Sequence, residues 1–483
     1  MKEYLKLAWR NIWRNKRRTL ITSASIFFAV FFALVMRSFQ LGSYDSMIKN
    51  IIESYSGYIQ IQGLDYFDEP LIDNSIPYGK ELEKTILSEK NIKMVIPRFQ
   101  AHGLATNGES SKFAAVIGID VEKENQINKL ENKLVRYRIT SKAIEILKNE
   151  KNFPDDIIEM LTKYENASYS NTQRLLLDII LSEKEQELYL KTIEEVTAFE
   201  GKYLTENSTG VLVADRLAKY LNLNIGDSII IMSQGFQGVS AAGIYPIEGI
   251  LKFPSPEFDN TMIYMPLKQA QLLYSAYETN ENMVDTTFYV SYLSLNVKNS
   301  DDSDVINSTK NLNSLIDNSI YKALNWKEFN KELVQQINSD SMSGVVMLAL
   351  LYLIIGFGVF GTVLMMTKER QREFGVMIAV GMQKRKLEII VIIEMIIVGF
   401  IGVLSGIVAS IPVILTGYYY PISLKGQMAT MMEEYNMEPI MPMAWFDTYF
   451  INQTTVVLII VILASLYPVL KIGKLKVINA LRG

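Results

Sequence analysis

Few residues in this chain could do covalent chemistry. Among 483 residues there is no cysteine and one histidine, His102, which excludes a disulfide framework, thiolate chemistry and any Cys/His metal set. The carboxylates show no ligand spacing, and His102 has no base or nucleophile in a recognisable pattern with it, so neither a catalytic residue nor a metal ligand is assigned. No Gly-x-x-x-x-Gly-Lys-Ser/Thr phosphate loop occurs; the glycines of "GFGVFG" at 356–361 lie in an apolar run and read as helix packing. A net charge of −4 gives no footprint for nucleic acid. What stands out instead is "KERQREFGVMIAVGMQKRKLE", Lys368–Glu388, with charges at both ends and a small, apolar centre. That pattern suits a short helix seated in a partner's groove. Phe374 and Met377 would supply apolar contact, Gly375, Ala379 and Gly381 close approach, and Glu369, Arg370, Glu373 and Arg385 a charge register. An interfacial loop helix with no partner fits the spacing equally well.

Four apolar runs must position that segment: 20–41, 344–366, 389–417 and 454–470. Each meets or approaches the roughly 20 residues needed to cross a bilayer. The first is longer than a signal-peptide core and lacks a small-x-small cleavage site after it, so it reads as a retained anchor. Lys and Arg crowd residues 1–19, the segment 367–388 and the tail 471–483, whereas the 418–453 loop carries Lys425 against Glu433, Glu434, Glu438 and Asp447. The positive-inside rule therefore places both ends and the 367–388 segment in the cytoplasm, with 42–343 and 418–453 outside. Within 1–19, Leu5, Ala8, Trp9, Ile12 and Trp13 fall on one helical face with Lys6, Arg10, Asn11 and Arg14 turned away, the pattern of an interfacial amphipathic helix.

The external block mixes strand and helix. "SGYIQIQG", "NIKMVIPRFQAHGLATNG" and "KFAAVIGID" read as sheet, and "GVLVADRLAKYLNLNIGDSIII" as strand, a helix capped near Asp215, a Gly226-Asp227 turn and strand. From about 138 to 197 the text is charged and helical with few strand formers, as an insertion would be. "WKEFNKELVQQINSDSMSG" predicts a stalk helix from Trp326 to Gly344 running straight into the second span.

Inside the spans, Glu394 sits within two turns of the cytoplasmic end of the third run, where it reaches water or pairs with a basic side chain. Gly399, Gly402, Gly406 and Ser410 form a small-residue ridge that could pack within the protomer or across a dimer.

"RQREFGVMIAVGMQKRKLEIIVIIEMIIVGFIGVLSG" resembles the signature of the FtsX/MacB-type permeases of ABC transporters, through Arg370, Glu373, Gly375, Ala379, Gly381, Arg385 and Glu394. The ending "YPVLKIGKLKVINALRG", with Ala480, Leu481 and Arg482, and the order of one helix, a large external domain and three helices are also similar to that family. Ile378 and Val477 depart from it, where Arg and Pro are common, and the 138–197 segment has no counterpart. The resemblance implies an α-helical membrane protein of four transmembrane helices with a large external α/β domain of the MacB-like periplasmic core type. It implies that the 367–388 segment is a coupling helix gripped by a separate cytoplasmic ABC ATPase dimer, that ATP and Mg are bound by that partner and not by this chain, and that a second permease protomer, identical or not, completes the unit. The expected location is the bacterial inner membrane, in contact with lipid. Within the family the lipoprotein-releasing LolC/LolE type is nearest, with a lipoprotein as cargo and a periplasmic carrier as receiver. A MacB-like export pump and an FtsX-like activator of cell-wall hydrolases are the alternatives. For the first, acyl chains should enter between the first and second spans, with Phe28, Phe31, Phe32, Val35, Phe39, Leu351, Ile355 and Phe360 as candidate lining.

Overall fold

The computed structural model describes residues 2–14, 16–279, 286–424, 428, 431–432 and 440–476. Val477, the Ala480-Leu481-Arg482 ending and the loop charges Lys425, Glu433, Glu434 and Glu438 lie outside the described residues. The chain divides into two compact units, one of Met1–Ser46, Glu332–Leu424 and Ile440–Gly483, the other of Met47–Lys331 and Lys425–Pro439.

The first unit is helical: α1 (Lys2–Arg14), α2 (Lys16–Ile48), α3 (Lys331–Glu369), α4 (Gln371–Ala379), α5 (Lys384–Tyr419) and α6 (Thr448–Gly473). Four of these, α2 from Thr19, α3, α5 and α6, are long and apolar enough to cross a membrane. All four run past the expected ends, α2 and α3 furthest. The first continues beyond 41 to Ile48, and the apolar run 344–366 is the C-terminal part of a 39-residue helix. At 1.5 Å per residue α3 is roughly 58 Å long, well over the ~30 Å hydrocarbon core. The expected stalk is not one piece: Trp326–Phe329 is a separate short helix that ends at Asn330, and α3 begins at Lys331.

Half of the apolar window of α5 is buried, against 17% for α3, so α5 is the central helix. Its neighbours reach it because the ridge has no side chains in the way. A Cβ on Gly402 would lie 2.7 Å from Ile26 Cβ, one on Gly406 2.9 Å from Phe27 O, and one on Gly399 2.9 Å from Val461 Cγ1. The ridge therefore packs inside the protomer, against α2 and α6, and Ser410 is buried with it. The glycines at 356–361 behave otherwise: a Cβ on Gly358 or Gly361 would meet nothing within 4 Å, and Gly356 faces only Ile460. Within this chain they are not packing positions. Exposed Trp9 and Trp13 at one end, and Tyr418, Tyr419, Tyr420 and Trp445 at the other, form two aromatic girdles of the kind found at membrane–water boundaries.

The second unit is built on nine strands: β1 (Ile59–Gly63), β2 (Ile92–Thr106), β3 (Ser111–Ile119), β4 (Val211–Ala214), β5 (Ser228–Gln234), β6 (Ser240–Leu251), β7 (Met262–Pro266), β8 (Tyr292–Val297) and β9 (Tyr321–Asn325). Their order is β9-β1-β8-β2-β3-β7-β4-β6-β5. The 15-residue β2 pairs with β8 through its first half and with β5 through Leu104–Thr106, so six strands close into a ring around Val116, Ile231, Val213 and Ile250. The free edge at β9 is blunted, because the Asn313 amide donates to Ala323 O at 2.9 Å and accepts from Ala323 N at 2.9 Å. A mixed α/β domain thus stands between the first span and the later three.

The segment 138–197 forms helices Ser141–Asn149, Asp155–Lys163, Thr172–Asp178 and Lys191–Thr197 with a core of its own, including Leu147, Ile157, Leu161 and Ile193. It also contains strand: Tyr137–Arg138 pairs with Ser168–Tyr169. Asp215 does not cap the helix it begins. Its carboxylate is fully buried and takes Arg138 Nη2 and Ser168 Oγ, each at 2.8 Å, from the inserted segment.

Candidate functional site

The site lies at the basic end of the helical unit, on α4 and the turn that follows it. The chain leaves α3 at Arg370, turns, and forms α4 over nine residues. Its exit is a Schellman turn: Met382 N donates to Met377 O and Gly381 N to Ile378 O, each at 3.0 Å. Gly381 has φ +104°, and a Cβ there would meet nothing within 4 Å. Glycine is therefore favoured by its left-handed backbone, and no atom of the chain itself crowds the position.

One side of α4 is locked to its own chain. Phe374 is 2% exposed and packs with Leu387 and Val391 of α5 and with Ile472 and Leu475. Gly375 is buried beside it. Arg370, expected to fix a partner's register by charge, turns inward instead: its guanidinium is 4% exposed and forks onto Glu394, with Nη1 on Oε2 and Nη2 3.2 Å from Oε1. Glu394 also accepts from Asn11 Nδ2 at 2.6 Å. Asn11 was expected to point away with the cations of α1; it points into this pair. A buried carboxylate is tolerable only when paired and hydrogen-bonded, and here it has both partners, so Glu394 is structural. Arg14 Nη2 reaches Glu373 Oε2 at 2.6 Å across the surface, while Ala8 and Ile12 bury the inner face of α1. Trp9 and Trp13 stay about half exposed, rings 5.8 Å apart edge to face.

The other side of α4 is open. Val376, Met377, Val380, Gly381, Met382, Gln383 and Lys386 line a shallow concavity of about 440 Å³, with Val376 47% and Val380 84% exposed. Ala379, Arg385 and Glu369 are exposed at its surroundings. Of the expected contact residues, Met377 and Gly381 line the concavity; Phe374, Gly375 and Arg370 do not. Val376 and Val380, four residues apart, were missed. The signal was present: Phe374 and Ile378 form one i,i+4 pair and Val376 and Val380 another, on different sides of a short helix, and only one pair can face the chain's own core.

The candidate cargo lining is divided. Val35, Phe39 and Ile355 pack against the bundle core, and Leu351 is partly buried. Phe28 stacks on Phe32 at 6.0 Å and Phe31 on Phe27 at 5.9 Å, with Phe28 and Phe32 half exposed. Phe360 meets Tyr467 of α6 edge to face. At the opposite end from α4, Tyr44 Oη to Asp340 Oδ2 (2.5 Å) and Gln40 Nε2 to Tyr44 Oη (2.8 Å) clasp α2 to α3. Among the described residues no group of three or more His, Asp or Glu is arranged to hold a metal ion.

No curated protein matches the sequence. Solved structures similar to parts of the chain include two external domains. The periplasmic region of MacB from Actinobacillus actinomycetemcomitans is 14% identical, with a TM-score of 0.29, covering 60% of this chain and 95% of that one. The extracellular domain of the noncanonic ABC-type transporter YknZ from Gram-positive bacteria is 12% identical, with a TM-score of 0.28, covering 56% of this chain and 100% of that one. Residues 345–477, which hold α4, its concavity and three of the four spans, match the family described as FtsX-like permease C-terminal. Over residues 345–477, with three of its four spans and α4, this chain has an FtsX-like permease C-terminal domain.

Proposed function

We propose that this chain is the membrane subunit of an ABC transporter in which a separate cytoplasmic ATPase dimer seats on the α4 concavity and drives motion of the external domain. The observation that carries this reading is the two-sidedness of α4. Val376 and Val380 are offered to a partner, while Phe374 and the Arg370–Glu394–Asn11 cluster tie the same helix to α5, α6 and α1. A push on such a helix moves the spans with it. ATP and Mg belong to the partner, and the work comes from its differential affinity for two states of the permease. The mode is helix in groove.

In this reading the chain sits in a bacterial inner membrane with the α/β domain in the periplasm, pairs with a second protomer, and extracts lipoproteins for a periplasmic carrier. The half-exposed Phe28 and Phe32 on α2 and the largely unburied α3 support an acyl-chain cargo, because they offer apolar surface that the protomer itself does not cover. Export of another cargo, or activation of cell-wall hydrolases, would use the same α4.

The test is purification of the tagged chain in mild detergent, with Val380→Glu and Val376→Asp variants alongside. Wild type should retain a vanadate-sensitive ATPase and both variants should lose it, at unchanged yield and thermal stability because neither side chain is in the core. Mass spectrometry of the bound material should show lipidated peptides. No ATPase under any mild condition, or undiminished ATPase on both variants, overturns the coupling; an ATPase without lipidated cargo overturns only the lipoprotein assignment.

A further inference from the structure

The helix Asp215–Tyr220 and the helix Pro256–Thr261 meet three cations from other elements, Lys112, Arg138 and Lys252, beside the strand ring. Asp215 and Asp259 are both fully buried. Lys219 Nζ and Lys252 Nζ share one oxygen of Asp215, at 2.5 and 3.5 Å, and Lys252 Nζ bridges onward to Asp259 Oδ2 at 2.6 Å. Arg216 Nε lies 3.6 Å from that same Asp259 oxygen, and Arg138 holds the other oxygen of Asp215 from behind. Lys112 approaches from β3, its ammonium 4.6 Å from the Tyr220 ring centre and 3.3 Å from Asn260 Oδ1.

The carboxylates are consumed by this arrangement. Asp215 accepts from Arg138, Ser168, Lys219 and Lys252, and Asp259 from Lys252 and the Phe253 backbone N–H. Each ammonium carries three donors, and the carboxylate takes one of those on Lys219 and two of those on Lys252. The side chains of Lys219, Lys252 and Arg216 are each about one-third exposed, at 32, 31 and 35%, so all three reach solvent above the fully buried Asp215 and Asp259. Even counting the exposed Glu257 of the second helix, five cations face three carboxylates. Burial, with the charges of Lys252 and Arg138, holds Lys219 below the ordinary lysine value in spite of Asp215, and burial with the charge of Arg216 does the same for Lys112.

We propose that Lys112, Lys219, Lys252 and Arg216 form a binding site for a phosphate-class oxyanion on the external domain, taking either a phospholipid headgroup or a soluble phosphate ester. An oxyanion fits because it offers several acceptors to donors that Asp215 and Asp259 hold close together, and because charge-assisted hydrogen bonds are the strong ones. The two buried carboxylates act as the frame: they fix ammonium positions that long, exposed lysines would otherwise lose to rotamer entropy. Arg138 and Ser168 belong to the inserted segment, so the same frame anchors that segment at the back of the site.

Titration calorimetry on the full chain in a neutral maltoside detergent, with inorganic phosphate and with glycerol 1-phosphate as probes, tests the site. Wild type should bind both probes. Phosphatidylglycerol doped into the detergent micelles should displace glycerol 1-phosphate if the ligand is a lipid headgroup, and leave it bound if the ligand is a soluble ester. Lys219→Gln and Lys112→Gln should each weaken binding roughly tenfold, the loss of one charge-assisted bond, while Lys219→Arg stays close to wild type. Thermal stability read in the same samples separates lost binding from lost structure, and Lys112, which holds neither carboxylate, gives the variant least coupled to folding. No heat with either probe, or unchanged affinity in both glutamine variants, overturns the proposal.

Discussion

Arg370 and Glu394 are 24 positions apart in sequence and share one buried fork. Removing either partner leaves an uncompensated charge with 4% or less of its side chain exposed, and such losses cost about 3 kcal/mol or more. Glu394→Ala should therefore lower the thermal midpoint of the purified protein and leave α4 loosely held, whereas replacing both residues by Met and Leu should recover most of the stability. If Glu394→Ala melts with wild type, the pair is not holding α4 in place. The sequence showed both residues and the motif they belong to, but not what they touch. A basic residue in a surface helix reads as available to a partner, and only the turn at Arg370 between α3 and α4 directs it back into the bundle. Gly381 was legible as a small residue but its positive φ was not, because small size and a left-handed backbone leave the same letter in the sequence.

At the scale of elements the four spans were readable, since apolar length decides them, but their ends were not. Hydropathy falls away at Gly42 and before Gly344, yet helix continues to Ile48 and starts at Lys331, because polar residues sustain helix where nothing interrupts the backbone pattern. Two glycine sets of similar spacing also separate here. Gly402 and Gly406 stand 2.7 and 2.9 Å short of neighbouring atoms for any added Cβ, while Gly358 and Gly361 face open space. Gly406→Leu should push α2 from α5 and destabilise the purified protein by roughly 2 kcal/mol, the usual range for overpacking. Gly358→Ala should be neutral or slightly stabilising in the isolated protomer, since alanine is the better helix former. Thermal unfolding of the two variants beside wild type checks both. Equal midpoints for Gly406→Leu and wild type would mean that the α2–α5 contact is dispensable.

The whole molecule contains a segment that its sequence marked by texture alone. Charged, helical text from 138 to 197 was separable from its surroundings because strand formers stop and resume, but nothing in it told how it is rooted. The structure places its two ends side by side: Tyr137 bridges Ala198, and Phe199 N donates to Arg136 O at 2.8 Å. Its apolar residues form a core separate from that of the strand ring. Loops between adjacent antiparallel ends need only about two to five residues, so replacing 140–196 by a short Gly/Ser turn should leave the ring intact. The cost falls on Asp215, which loses Ser168 but keeps Arg138, Lys219 and Lys252. The shortened chain should express and span the membrane, and the ATPase contact proposed for α4 should be unaffected, because α4 is in the other unit. Hydrogen exchange across β2, β3 and β7 should match wild type. Loss of protection there would mean that the inserted helices are part of the domain's folding core and not an addition to it, and retained protection with lost transport would assign the segment to cargo or partner recognition.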